Sequence, residues 1–348
     1  MTNLKTITPK QAPDLLAHVI RANLVPMLTS SPGMGKSSIA KQVADTFNLK
    51  LIDVRLAQSD PCDLNGFPTT NTERTKASYV PMDTFPTEHD ELPLKEDGTP
   101  YAGWFLLLDE FNSAPPSVQS AAYKIVLDRQ IGQFNLHPKV AIMAAGNLST
   151  DKAIVNRMST AMQSRMVHFE MSLDVDAWLE WASNNNIDYR ITSFINYDKA
   201  ALHKFDPKHN DHTFPCPRTW EFMSKLVKPI PTIGFDMMSL LQGTVGPGMG
   251  TKFLTFCDIF NKLPNINDII NNSKTMKVPE EPDVCYAVAG LISNHIDSNN
   301  ATALLEFLQR MPVEFQVVTL KGAIRQNATL ASNPDVLKWV TKNAKAML

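Results

Sequence analysis

Residues 30–37 read Ser30-Ser31-Pro32-Gly33-Met34-Gly35-Lys36-Ser37. LVPML (24–28) precedes them as an apolar run of strand length, and a helical pattern follows through about Phe47. A strand, a small-residue loop, Lys-Ser and a helix form the order in which backbone N–H groups turn inward around phosphate oxygens at a helix N-terminus. Lys36 is then placed to reach β- and γ-phosphates, and the Ser37 hydroxyl to ligate Mg²⁺. The candidate nucleotide-binding residues are Ser31, Pro32, Gly33, Met34, Gly35, Lys36, Ser37 and Ser38. Ser30 stands where the phosphate-loop pattern has its first glycine. GTVGPGMGTK (243–252) is richer in glycine, but Thr251 precedes Lys252 and no strand leads in, so it reads as a turn between helices.

Outward from the loop, LIDVRL (51–56), WFLLL (104–108), VAIMAA (140–145) and VHFEM (167–171) are further apolar runs of strand length. Helical patterns such as PSVQSAAYKIVLDR (116–129) separate them. Apolar runs without strict alternation, interleaved with helices, predict an α/β fold with a parallel sheet covered on both faces. Thr8 is placed to cap a helix that begins at Pro9. The gap from Ala57 to Gly103 is too long for one connection and reads as a helix interrupted by an insertion, then an exposed acidic loop. Beyond about residue 172, stretches such as DVDAWLEWASNNN, RTWEFMSKLV and NATALLEFLQRM have helical spacing, so the second half is expected to be all-helical.

Asp109 and Glu110 close the run WFLLLDE. In a phosphate-loop protein this strand end is where one carboxylate helps hold Mg²⁺ and the next orients the attacking water. Asn147, at the end of VAIMAAGN, is placed to help align that water beside the γ-phosphate. The metal candidates are thus Ser37 and Asp109, and the catalytic candidates begin with Lys36, Glu110 and Asn147.

Composition narrows the class. With 33 Lys and Arg against 35 Asp and Glu, the net charge is −2, which argues against a protein whose main business is gripping bare nucleic acid. No run of about 18 apolar residues occurs, so no membrane span is expected. The start lacks a charged segment followed by an apolar one, so it does not read as a secretion signal. Cys62, Cys216, Cys257 and Cys285 are scattered, which suggests a reducing cytoplasmic setting rather than a disulfide or zinc framework. His209 and His212 in KHNDH lack partners that would complete a metal site, and read as a solvated loop.

Taken together, SSPGMGKS, SDPCDLNG (59–66), LLLDEFNSAPPSVQSAAYKIVLDRQIG (106–132), AAGN (144–147), STAMQSRMVHFE (159–170) and CPRT (216–219) resemble the MoxR branch of the AAA+ ATPases, including phage-encoded members. The resemblance covers most of residues 20–225. It implies an AAA+ phosphate-loop core over 1–172, a helical lid over 173–262 and a helical extension over 263–348. It further implies a ring, usually a hexamer, that hydrolyses ATP with Mg²⁺ in a bacterial or phage-infected cytoplasm. Arg165 aligns with the family's arginine finger, which serves a neighbour's nucleotide, with Arg157 as a weaker second. Arg218 aligns with the sensor-2 arginine at the start of a lid helix. Residues 67–81 and 129–140 fall where the family carries hairpins facing the pore or a partner. Ser113 stands where many members have arginine. Family members commonly act with a protein carrying a von Willebrand factor A domain, which makes a protein client the expected partner.

Two other functions compete. A nucleic-acid motor or loader would use basic residues near the hairpins, here Arg74, Lys76, Arg129 and Lys139, with Phe67, Tyr79 and Phe134 for stacking. An ATP-locked, non-hydrolysing scaffold would not need the full set of hydrolytic residues present.

Overall fold

Gly103–Asp109, GWFLLLD, is buried at every position. Side chains alternate across a strand, so a continuous apolar run survives only where both faces of the sheet are covered. Trp104, Leu106 and Leu108 pack on one side against Val118, Ala122 and Ile125. Phe105 and Leu107 pack on the other against Leu16, Ile39, Ala40 and Val43. Each large side chain so buried contributes about 1.5–3 kcal/mol.

The computed structural model describes residues 4–148, 156, 158–206 and 211–343. The chain divides into Met1–Leu173 and Asp174–Leu348. The first unit runs α1 (Ala12–Arg21), β1 (Val25–Ser30), α2 (Lys36–Thr46), β2 (Leu49–Arg55), α3 (Pro61–Asn65), β3 (Phe67–Thr70), β4 (Ala77–Val80), β5 (Gly103–Asp109), α4 (Pro116–Asp128), β6 (Gln130–Ile131), β7 (Phe134–Asn135), β8 (Val140–Asn147), α5 (Thr160–Gln163) and β9 (Met166–Glu170). Its sheet has the order β2-β5-β8-β1-β9, and every neighbouring pair is parallel. The α/β reading with a doubly covered parallel sheet therefore holds.

Two expectations need correction. The first helix begins at Ala12, not Pro9. Thr8 instead closes a turn with Gln11, donating its N–H to Gln11 Oε1 at 3.1 Å and accepting from Gln11 N–H at 3.3 Å. The preceding Ile7 is held beside Met171, which keeps the chain extended there. In the Ala57–Gly103 gap the helix is only the short α3, followed by the antiparallel hairpin β3–β4 and then the exposed loop. A second, smaller hairpin is formed by β6 and β7.

The second unit is helical throughout its described residues: α6 (Val175–Asn184), α7 (Tyr189–Tyr197), α8 (Pro217–Val227), α9 (Met238–Val245), α10 (Pro247–Phe260), α11 (Ile266–Asn271), α12 (Pro282–His295), α13 (Ala301–Leu308), α14 (Val313–Gln326) and α15 (Pro334–Lys342), with short 3₁₀ turns between. The glycine-rich segment 243–252 turns only at Gly246 (φ 89°), and Pro247 already starts α10, a sharper change of direction than a loop of that length. No described helix is long and apolar enough to cross a membrane.

Arg190 and Asp188 form a buried ion pair in this unit, each 5% exposed. Arg190 Nε and Nη2 donate to the two Asp188 oxygens at 2.9 and 2.7 Å. The remaining N–H groups reach the Val227 (2.7 Å), Ile230 (2.8 Å) and Pro231 (3.3 Å) carbonyls, joining the start of α7 to the end of α8. A buried pair satisfied this fully tolerates no single deletion, because the surviving charge is stranded. Arg190→Ala is expected to lower unfolding free energy by about 3–5 kcal/mol, read from the denaturant midpoint.

Cys62 is exposed, whereas Cys216, Cys257 and Cys285 are buried. The hydrogen bond to the Asp60 carboxylate, with some desolvation, raises the Cys62 thiol above its ordinary pKa. Less thiolate is then present at any pH below that value. Alkylation of the folded protein at pH 8 should therefore modify this one thiol, more slowly than free cysteine, and Asp60→Asn should accelerate it.

Candidate functional site

The chain passes from β1 across the sheet to β2, then fills the gap with β5 and β8 and adds β9 on the far side of β1. Such a reversal leaves a crevice at the C-terminal ends of the strands, where ligands of open α/β sheets bind. The loop 31–35 leaves β1 at that edge. Gly33 (φ 76°) and Gly35 (φ 85°) take left-handed conformations. A Cβ at Gly35 would meet nothing within 4 Å, so backbone conformation, not space, calls for glycine there. Gly35 is also the N-cap of α2 and no side chain caps that helix, leaving its first-turn N–H groups directed out of the helix.

Lys36 is buried, at 9% exposure. Its Nζ donates to Ser30 O (3.2 Å), Ser30 Oγ (3.3 Å), Ser31 O (3.5 Å) and Asn147 Oδ1 (3.1 Å). Ser30, in place of the first glycine, thus supplies a hydroxyl acceptor to the lysine. Pro32 lies between these contacts and the left-handed turn, Met34 packs into the core beside α2, and Ser38 is exposed on the first turn.

Ser37 Oγ donates to Asp109 Oδ2 at 3.0 Å. Two oxygen ligands at right angles on an octahedral Mg²⁺, each about 2.05 Å from the metal, lie about 2.9 Å apart. The pair therefore fits a hard divalent cation in spacing and in donor type. Ser37 and Asp109 are the residues that would hold such an ion; among the described residues no cluster of three His, Cys, Asp or Glu could hold a metal.

Glu110 follows at φ 54°, a left-handed conformation that costs a side-chain-bearing residue about 1–2 kcal/mol. Its N–H donates to Asp109 Oδ1 at 2.7 Å, and its carboxylate makes no hydrogen bond or ion pair among the described residues. Asp53, on β2, is a further carboxyl at this edge. Partial burial and then the neighbouring Asp109 charge raise its pKa, with Arg55 opposing.

Asn147 meets Lys36 through Oδ1 and donates from Nδ2 to Ser113 Oγ at 3.4 Å. Asn112 passed unremarked as a site residue in the sequence. Its Nδ2 donates to Asn147 O at 2.7 Å and its Oδ1 accepts from Asn147 N–H at 3.0 Å. The sequence signal for it is a polar residue two positions after Glu110 in DEFN, which does not name its partner.

The structure thus brings Lys36, Ser37, Asp109, Glu110 and Asn147 to one edge. Arg165 is elsewhere: it is exposed, donates from Nη1 to Ala161 O at 2.9 Å, and lies over the Tyr123 ring at 6.0 Å. It immediately precedes Met166, which is in register with Val25 at the opposite end of β1 from Ser30. Arg218 belongs to the second unit, exposed on the first turn of α8 behind Pro217, and makes no ion pair among the described residues. Arg157 and His209 lie outside the described residues.

No family model matches the sequence, and no curated protein matches it. Solved structures that resemble the chain include a point mutant of RuvB from Thermotoga maritima (14% identity over 78% of this chain and 78% of the other, TM-score 0.40). NtrX from Brucella abortus is another (13%, 98% and 69%, TM-score 0.40), as is NtrX in complex with ADP (14%, 99% and 69%, TM-score 0.34). The fold assignment rests on the chain's own strand order and loop geometry, and these likenesses add no weight to it.

If Ser37 and Asp109 hold the cation, Ser37→Ala and Asp109→Asn should each raise the Mg²⁺ concentration needed for half-maximal nucleotide binding by about tenfold or more. Metal-free nucleotide binding should change little. Titration of Mg²⁺ against a fluorescent ATP analogue checks both.

Proposed function

We propose that this chain is an ATP-hydrolysing subunit of a ring ATPase of the MoxR type, forming a hexamer that remodels or activates a protein client. The observation that carries the reading is the convergence of Lys36 on Asn147 at 3.1 Å and of Ser37 on Asp109 at 3.0 Å, with Glu110 next in sequence. Lys36 exchanges its carbonyl partners for phosphate oxygens. The Glu110 carboxylate orients water for in-line attack on the γ-phosphorus, and the Asn147 amide holds its correct approach. Ser37 and Asp109 would hold Mg²⁺, which when bound would neutralise developing phosphate charge.

The position of Arg165 supports a role across a subunit boundary. The next residue, Met166, is level with Val25, five residues along β1 from Ser30, so Arg165 lies about 17 Å or more away at roughly 3.3 Å per residue, too far for one side chain to serve its own loop. In the same reading, residues 173–262 act as a lid that brings Arg218 to its own nucleotide, and 263–348 as an extension. The hairpins β3–β4 and β6–β7 carry the movement to the client, for which a von Willebrand factor A domain protein is the leading class. Nothing favours the nucleic-acid motor: of the four basic residues it would use, Arg129 is half-buried and donates from Nη1 to Val140 O at 2.7 Å. A non-hydrolysing scaffold would leave Glu110 without a task.

Glu110→Gln should retain ATP affinity and lose turnover by about 100-fold or more. Arg165→Ala should also be nearly inactive by itself. Mixing the two inactive variants should recover part of the activity, because mixed rings contain boundaries with one intact glutamate and one intact arginine. Unchanged turnover in Glu110→Gln would remove the assigned base, and failure of the mixture to recover would remove the arginine from the neighbour's site.

A further inference from the structure

We propose that Asn112 is a positioning residue that sets the backbone and amide orientation of Asn147 and ties it to the Glu110 turn. The proposal rests on the reading of Asn147 as the residue that aligns the attacking water beside the γ-phosphate. Pairing between β5 and β8 stops at Leu108 and Ala144, yet β8 continues to Asn147. Beyond that point the Asn112 side chain takes the place of a neighbouring strand. Its amide accepts from the Asn147 N–H at 3.0 Å and donates to the Asn147 carbonyl at 2.7 Å, while β1 holds the other side with Ser30 in register. Asn112 is only 6% exposed, so these bonds are made away from competing water.

The fit depends on the glycine before Asn147. A Cβ on Gly146 would stand 2.5 Å from Asn112 Oδ1 and 2.7 Å from the end of Met27. With the backbone held, the Asn147 amide has one arrangement that satisfies both of its ends: oxygen to Lys36 Nζ and nitrogen to Ser113 Oγ. Ser113 sits on the same turn, Phe111–Ser113, that begins at Glu110. The turn is held from a third side as well, since Asn112 O accepts from Asn156 N–H at 2.6 Å and Ala114 O from Asn156 Nδ2 at 2.8 Å. Phosphate-facing lysine, water-aligning amide and the glutamate turn are thereby one hydrogen-bonded unit, and Asn112 is the member that closes it.

The test compares Asn112→Asp, Asn112→Ala, Asn147→Ala and the Asn112→Ala/Asn147→Ala double variant. Asn112→Asp keeps the size but cannot donate to the Asn147 carbonyl. Fluorescent ATP and ADP analogues give affinities, steady-state turnover gives kcat and KM, and thermal melting reports folding. The expected result is a kcat lowered about 10- to 100-fold in both Asn112 variants, with the preference for ATP over ADP reduced and ADP affinity within twofold of wild type. The double variant should be no slower than Asn147→Ala, and Gly146→Ala should reproduce the Asn112 effect. Multiplied losses in the double variant, or equal loss of ATP and ADP affinity together with a lower melting temperature, would show a merely structural asparagine and overturn the proposal. A wild-type chain that binds ATP but shows no change in any Asn112 variant also overturns it and spares the ATPase reading. A wild-type chain that binds no nucleotide overturns both.

Discussion

The parallel pairing of β1 with β8 governs the candidate site. It brings Ser30 into register with Asn147, so the residue that launches the phosphate loop and the residue that would align the attacking water share one level of the sheet. Lys36 then needs only the first turn of α2 to reach both strand ends. β5 lies on the far side of β8 and delivers Asp109 to the same edge. A slip of this register by one residue would turn Asn147 to the other face. The two apolar layers that cover the sheet prevent it, because the same slip would exchange the faces of Ile142 and Ala144 with those of Met143 and Ala145 on β8. Site geometry and core packing are therefore one constraint.

Much of this was legible in the sequence because its signals are local. The loop residues are contiguous, Asp109 and Glu110 end an unmistakable apolar run, and the buried strands lack charged interruptions. Asn112 was not legible, since its partners lie in β8 and its meaning arises only from where β5 stops pairing. Arg190 shows the same limit: its ion-pair partner Asp188 is two residues away, but the carbonyls of Val227, Ile230 and Pro231 that complete its hydrogen bonding lie 37 to 41 residues on in sequence.

The second unit is all-helical over its described residues, as expected, but α7, α9, α11 and α14 carry weak local helix signals for related reasons. In α14, Val313, Val317, Val318 and Thr319 are β-branched and favour strands, and only tertiary packing of Phe315, Leu320 and Ala323 settles the helix. The short α9 carries Gly243 within it and depends on Gly250 of α10, where a Cβ would meet the Gln242 backbone at 2.6 Å. Close approach of two helices is a property of the pair, and neither segment states it alone.

The left-handed backbone at Glu110 has a consequence for how this chain can change over generations. Glycine or asparagine would occupy that conformation at less strain, so the residue best suited to folding there differs from the residue present. Drift under selection for robustness alone would thus lead away from a carboxylate at this position. Lineages kept only for their assembled shape would be expected to lose the glutamate early, while their phosphate loop and core stayed intact. Under the proposed role of Glu110, the identity of residue 110 would record whether turnover, rather than mere binding, has been under selection.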